Sequence, residues 1–310
     1  MSNQNEKRYY TWNKYLRQQF GSKIFKVPID GGFSCPNRDG FFSTNGCTFC
    51  SISGSGDTII APLDPLPQQF LKKVSSLHKK WKNVQKYIVY FQNFTNTYAH
   101  VKILRERYEQ VLCLPNVVGI SIATRPDCLP PEVIDYLAEL NQQLHLWVEL
   151  GLQTTFDTTS KLINRAHSYQ TYLTAVENLR KHNIRTCTHL INGLPEETVE
   201  MMIENVSRTI RDSDIQGIKL HLLHVMKNTA ILRDYHEGKL KLMEKNEYVD
   251  VIVRQLELIP KNIVIHRLTG DAPRDLLIGP MWSFKKWEIL NAIDNELIQR
   301  NTWQGKHAIK

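Results

Sequence analysis

Six short apolar and β-branched runs punctuate the chain: Ile24–Ile29, Tyr87–Phe91, Val117–Ile122, Leu146–Gly151, Thr186–Ile191 and Ile218–Leu223. Runs this short and this uniformly apolar predict strands buried on both faces. Helical periodicity fills the intervals. Gln68–Trp81 carries Phe70, Leu71, Val74, Leu77 and Trp81 on one stripe, and Thr97–Leu112 is charged on its outer side. Pro131–Gln142 opens with proline in its first turn; Ser168 can cap Tyr169–His182, and Pro195 can open Glu196–Asp212. From the second run onward, successive run ends lie roughly 30 to 40 residues apart, the length of a βα unit. Six such units predict an α/β fold with a parallel sheet curved into a partial barrel; an open doubly wound sheet fits the same pattern.

The two ends depart from this rhythm. Residues 1–23, with Tyr9, Tyr10, Trp12, Tyr15 and Phe20, predict a helical cap over a barrel end. Beyond residue 225 the alternation weakens. Lys245–Leu258 reads as a helix, Asn262–Arg267 as a strand and Trp282–Arg300 as a last helix. The expected division is therefore a cap at 1–23, a barrel at 24–225, and an extension at 226–310 packed on it.

The first βα interval is about twice as long as the others because it holds Cys35, Cys47 and Cys50, spaced C-x11-C-x2-C in a loop after the first strand. Three thiolates from one loop can hold three corners of a cubane iron–sulfur cluster, leaving the fourth iron open to a small molecule. No histidine lies inside the loop to complete a zinc site, although a distant ligand could do so. Cys187 reads as core, Cys128 sits close to a strand end, and Cys113 carries no reading.

Charge changes the picture modestly. The formal charge is +8 and the isoelectric point about 9.1, which suits a polyanionic partner because lysine and arginine neutralise phosphates. The chain opens on polar residues, and no run reaches the roughly 18 apolar residues of a membrane span. With six cysteines that do not resemble a disulfide scaffold, a reducing, cytoplasmic location away from membranes is expected.

Polar residues stand at the predicted strand ends: Gln92, Arg125, Glu149, Gln153, His189, Lys219, His221 and His224. A carboxylate within an apolar strand is costly unless bonded. Glu149 can pair with Arg125 or Lys219, or can bind the ammonium of an amino-acid ligand. Gly193 lies at a strand-to-helix turn, where backbone can approach a ligand. Arg165 and His167 follow the fourth strand and can face the mouth or simply solvate a helix end.

The residues Gly32-Phe-Ser-Cys-Pro-Asn-Arg-Asp-Gly40, Gly46-Cys-Thr-Phe-Cys50, Thr124-Arg-Pro-Asp127, Glu149-Leu-Gly-Leu-Gln153, Asn164-Arg-Ala-His167 and His266-Arg-Leu-Thr-Gly-Asp271 resemble the radical S-adenosylmethionine (SAM) superfamily. More closely, they resemble its YtqA/YhcC-type family, relatives of the Elongator catalytic subunit. The first cysteine gap departs from that superfamily's usual C-x3-C-x2-C. The resemblance implies a partial (β/α)6 barrel of the TIM type, and a 4Fe–4S cluster on Cys35, Cys47 and Cys50. It also implies SAM on the open iron, cleaved reductively to a 5′-deoxyadenosyl radical. Phe49, Gln92, Glu149, Gln153 and Gly193 match cofactor-contacting positions. The implied substrate is tRNA, with the carboxymethylaminomethyl group of a wobble uridine trimmed to aminomethyl, and the implied reductant is a flavodoxin or ferredoxin. Arg125, Arg165, His167 and Lys219 are the candidate substrate contacts. A protein side chain or small metabolite as substrate, and a non-catalytic metal-stabilised RNA-binding protein, are the competing readings.

Overall fold

A computed structural model describes residues 7–54, 59 and 62–308. Seven parallel strands form one sheet in the order β1 (Ile24–Ile29), β2 (Lys86–Phe91), β3 (Val117–Thr124), β4 (His145–Gln153), β5 (Arg185–Asn192), β6 (Gly217–Leu222) and β8 (Val264–Arg267). A short antiparallel pair, β7 (Val225–Met226) with β9 (Leu277–Gly279), lies outside it.

Helices α2 (Leu66–His78), α3 (Val101–Leu112), α4 (Pro131–Gln143), α6 (Tyr169–Lys181), α7 (Val199–Asp212) and α9 (Lys245–Leu258) alternate with the sheet strands, while the short α5 (Asp157–Leu162) follows β4, α8 (Ile231–His236) follows β7 and α10 (Lys286–Gln299) follows β9. Outward-facing strand residues such as Val27, Ile29, Val89, Phe91, Ile120, Ile122, Val148, Leu150 and Leu220 join helix residues such as Leu104, Leu137, Val176 and Leu256 in the main core.

The sheet is curled. Three strand spacings on a flat sheet would separate β1 from β4 by about 14 Å, yet the Lys26 ammonium on β1 bonds the Glu149 carboxylate on β4. Lys219 on β6 likewise reaches the Tyr90 hydroxyl on β2 at 3.1 Å. The curl is a half-barrel, closed below by α1 (Trp12–Phe20), whose Tyr15 and Leu16 pack against Ile24, Ile88, Trp147, Cys187 and Val264 at the strand starts.

The structure corrects several expectations. The sheet has seven strands, because β8, expected within an extension, pairs with β6. Helix α7 begins at Val199, three residues after the expected Glu196, where the Thr198 hydroxyl accepts from Met201 N at 3.2 Å. Helix α3 starts at Val101 under a His100 cap, since 97–100 turn across the end of β2. Trp81 lies beyond α2, half-exposed, with the Lys23 ammonium 3.3 Å from its ring centre.

Candidate active site

Side-chain alternation fills the barrel in layers. The lowest inward positions are Ile24, Ile88, Gly119, Trp147, Cys187 and Gly217; two residues on in each strand stand Lys26, Tyr90, Ser121, Glu149, His189 and Lys219. A step of two keeps a side chain on the same face of a strand, so a charged layer sits directly above an apolar floor. Trp147 fills that floor because Gly217 opposes it: a Cβ there would lie 2.8 Å from the indole.

In the charged layer Glu149 is fully buried and accepts four bonds. Its Oε1 takes Lys26 and the Ser121 hydroxyl (2.7 Å), and its Oε2 takes Lys219 and His189 Nε2 (2.9 Å). Burial raises the carboxyl pKa, but the two ammonium groups outweigh it and hold Glu149 well below the usual range. Burial brings Lys219 down to about 8 against the pull of Glu149. Burial, then the Lys219 charge, takes His189 down to about 4, and His221 also falls well below its usual value, so both rings are neutral at pH 7. The pairing options for Glu149 thus resolve to Lys219 and to Lys26. Arg125 is taken elsewhere: its Nε and Nη2 grip Asp127 at 2.9 and 2.6 Å.

Above this layer lies a cavity of about 290 Å³ whose walls include Cys35, Cys47, Cys50, Phe49, Gln92, Arg125, Glu149, Gln153, Arg165, His167 and Lys219. The structure therefore brings together every sequence-singled residue except Gly193. Gly193, just past β5, has a left-handed φ of +85° and faces Met243 rather than the cavity; Ile191 on β5 lines the wall instead. At the end of β4 the ladder shifts register between Gly151 and Gln153, and Gln153 takes φ +63°. Such a bulge re-aims side chains at a strand end. The amide of Gln153 satisfies its neighbours when Nε2 donates to the carbonyls of Gly151 and Leu152.

The cysteine loop is stitched to the segment after β4. Asn164 Nδ2 donates to Gly46 O (2.7 Å), Asn37 Nδ2 donates to Asn164 O (2.5 Å), and Thr48 N donates to Ile163 O (3.0 Å). Arg38 donates to the carbonyls of Cys50, Ser51 and Ile52. Arg165 is almost fully buried and spends its guanidinium on the carbonyls of Leu152, Thr154 and His167, which fixes the β4 exit. The motif Asn164–His167 is thus a clasp holding the loop over the barrel mouth. Cys128 and Cys187 are buried and Cys113 is exposed; none of the three lines the cavity.

The donor set suits an iron–sulfur cluster. Three thiols converge on one cavity, and soft sulfur ligands select such clusters. Among the described residues no three His, Cys, Asp or Glu converge on one point as ligands of a single ion, whereas a cluster spreads its ligands over three irons. A hydrogen bond from Cys50, with Arg125, Asn37 and Arg165 nearby, brings Cys47 down to about 7 against the burial that raises it. Thr95 and His224 line the same cavity, and the Thr95 hydroxyl and His224 Nε2 have no hydrogen-bond partner among the described residues, so the walls retain polar capacity for a ligand.

Sequence reasoning left Lys26 and Tyr90 out of the site. The parity of Glu149 and Lys219 on their strands, extended to Lys26 within Ile24–Ile29, was the signal available. No described helix is long and apolar enough to cross a membrane.

Comparison with known proteins follows the same lines. The Radical SAM superfamily model matches residues 40–208, which include Cys47 and Cys50 but not Cys35, and the Radical_SAM C-terminal domain model matches 215–299. The uncharacterized protein YtqA of Bacillus subtilis (strain 168) is 55% identical over 97% of this chain and 93% of its own. A tRNA uridine(34) acetyltransferase of Methanocaldococcus infernus is 26% identical over 52% of this chain and 30% of its own. In fold, the archaeal Methanocaldococcus infernus Elp3 with an N-terminal deletion superposes with a TM-score of 0.69 at 17% identity, over 91% of this chain and 64% of that one. With three cysteines over the mouth of a parallel half-barrel and a superfamily model matched across more than half its length, the chain belongs to the radical SAM superfamily.

Proposed function

We propose that Cys35, Cys47 and Cys50 hold a 4Fe–4S cluster, that SAM binds its open iron, and that the substrate is a tRNA wobble uridine whose carboxymethylaminomethyl group is trimmed to aminomethyl. The carrying observation is that the three cysteines line one cavity with an ionised layer beneath them. When bound, cluster and SAM together supply a radical that removes a hydrogen atom from substrate.

The chain's own residues do the rest. Arg125 and Arg165 place positive charge beside Cys47 and offset the charge of bound thiolates. The Asn37–Asn164 clasp and Arg38 hold the loop in one geometry. Phe49, Gln92 and Gln153 line the upper wall, where an adenosine moiety would lie, and the half-barrel shields the interior from water. The tRNA assignment draws on the uridine(34) enzyme among the relatives, on the +8 charge, and on the accessibility of unstacked anticodon bases to a pocket.

Anaerobic reconstitution should give a brown protein with about four irons per chain. With SAM, reductant and tRNA bearing the carboxymethylaminomethyl group, nucleoside mass spectrometry should show aminomethyluridine. Cys47→Ala should abolish SAM cleavage and the iron chromophore while leaving the far-ultraviolet circular dichroism unchanged; retained cleavage would refute the ligand assignment. An unaltered wobble nucleoside would refute the substrate.

A further inference from the structure

Among the described residues, five cations line the cavity: Arg38, Arg125, Arg165, Lys219 and Arg267. Four are committed. Arg38 serves loop carbonyls, and Arg125 is bidentate on Asp127. Arg165 serves the β4 exit, and Arg267 faces Asp271 at 3.2 Å. Lys219 differs. Its one carboxylate partner, Glu149, is also bonded by Lys26 from the side of the other oxygen. Two ammonium groups therefore share a single buried negative charge, and the rings of His189 and His221 beside them are neutral. An ammonium has three N–H donors. Glu149 and the Tyr90 hydroxyl take two from Lys219, and the third has no acceptor among the described residues. A buried surplus charge of this kind is costly until an anion completes it.

We infer that Lys219, with its charge left in surplus by Lys26, forms an anion subsite on the cavity floor that receives the carboxylate of the substrate's side group. The inference rests on the substrate class proposed above. It assigns recognition to one lysine and removes Arg125 and Arg165, whose donors are occupied, from that role. It also accounts for turnover: the product keeps the amine nitrogen as an ammonium and has lost the carboxylate beyond it, so the lysine no longer has an anion to hold and meets only positive charge.

The test uses the reconstituted, SAM-bound enzyme and two anticodon stem-loop RNAs, identical except for carboxymethylaminomethyluridine or aminomethyluridine at the wobble position. Wild type should bind the first at least about ten-fold more tightly. Lys219→Met should cut that preference to about two-fold or less, with unchanged iron content and SAM affinity, and Lys219→Arg should restore most of it. Removing either lysine leaves a balanced ion pair with Glu149, so Lys26→Met should lower the preference to the same extent; it carries the test if Lys219→Met does not fold. A preference that survives both substitutions overturns the subsite alone. A fall in SAM affinity in place of a fall in preference assigns the lysine to the SAM carboxylate and overturns it too. No preference in wild type overturns the substrate assignment, and the subsite with it.

Discussion

Two layers of one barrel, separated by two residues on each strand, behave as different materials. The floor at Ile24, Ile88, Trp147 and Cys187 is apolar and shut from below by Tyr15 and Leu16. The layer above, at Lys26, Tyr90, Glu149, His189 and Lys219, is ionic and opens upward into the cavity. Strand parity sends both sets inward, so geometry alone does not distinguish them. The difference is that the floor is satisfied by volume and the upper layer by charge. A floor fails when its packing changes, whereas an ion layer fails when its balance changes.

The sharpest break is Glu149→Gln. It leaves the buried Lys219 and the partly buried Lys26 without a carboxylate, and such a loss costs about 3–5 kcal/mol. Urea unfolding at pH 7 should show it, and a second substitution, Lys219→Met, should recover part of it because the pair is coupled. If Glu149→Gln is neutral, the layer is not an ion network in solution.

The floor should yield to steric change instead. Gly217→Ala would put a methyl 2.6 Å from the His266 ring and 2.8 Å from Trp147, and overpacking of this sort costs about 1–3 kcal/mol. Lys219→Met should not recover this loss, whereas it recovers part of the loss in Glu149→Gln. Recovery of both by the same substitution would mean that the two layers do not fail differently.

A third effect is a slope with pH. His145 Nε2 lies 3.0 Å from both the Tyr15 hydroxyl and the Trp147 indole N–H, so it must stay an unprotonated acceptor; burial, with Arg185 nearby, lowers it to about 4. A depressed folded pKa means the unfolded chain binds the proton first. The contribution is then complete above pH 6.5 and is lost as pH falls towards about 4, with a slope of about 1.4 kcal/mol per pH unit for one proton. His189, also lowered to about 4, adds to the same window from the upper layer. Denaturant midpoints between pH 7 and 5 should decline in wild type, and His145→Gln should flatten part of that decline. An unchanged slope in His145→Gln would place the acid sensitivity elsewhere.

Local chemistry carried much of the fold in readable form. The strand Ile24–Ile29 and the helix Lys245–Leu258 have the same bounds in the sequence pattern and in the structure, because each is an apolar run or stripe bounded by breakers or caps. The cysteine triad was legible for a similar reason: three sulfur donors in one loop limit the chemistry wherever the loop lies. Other features were not local. Residues 264–267 join the sheet only because β6 offers them an unpaired edge. Thr198 outcompetes Pro195 as the start of α7 because its hydroxyl satisfies an otherwise orphaned N–H.

Sequence alone determined that this chain would build alternating strands and helices and would carry a sulfur-rich loop, since periodicity and donor type act over a few residues. Tertiary structure decided which charges meet. Glu149 finds Lys26 across three strand spacings only because the sheet curls, and Arg165 lines the cavity with its donors already taken only because the carbonyls of Leu152, Thr154 and His167 surround it. Charge pairing depends on distance in space, and distance in space is what strand curvature sets.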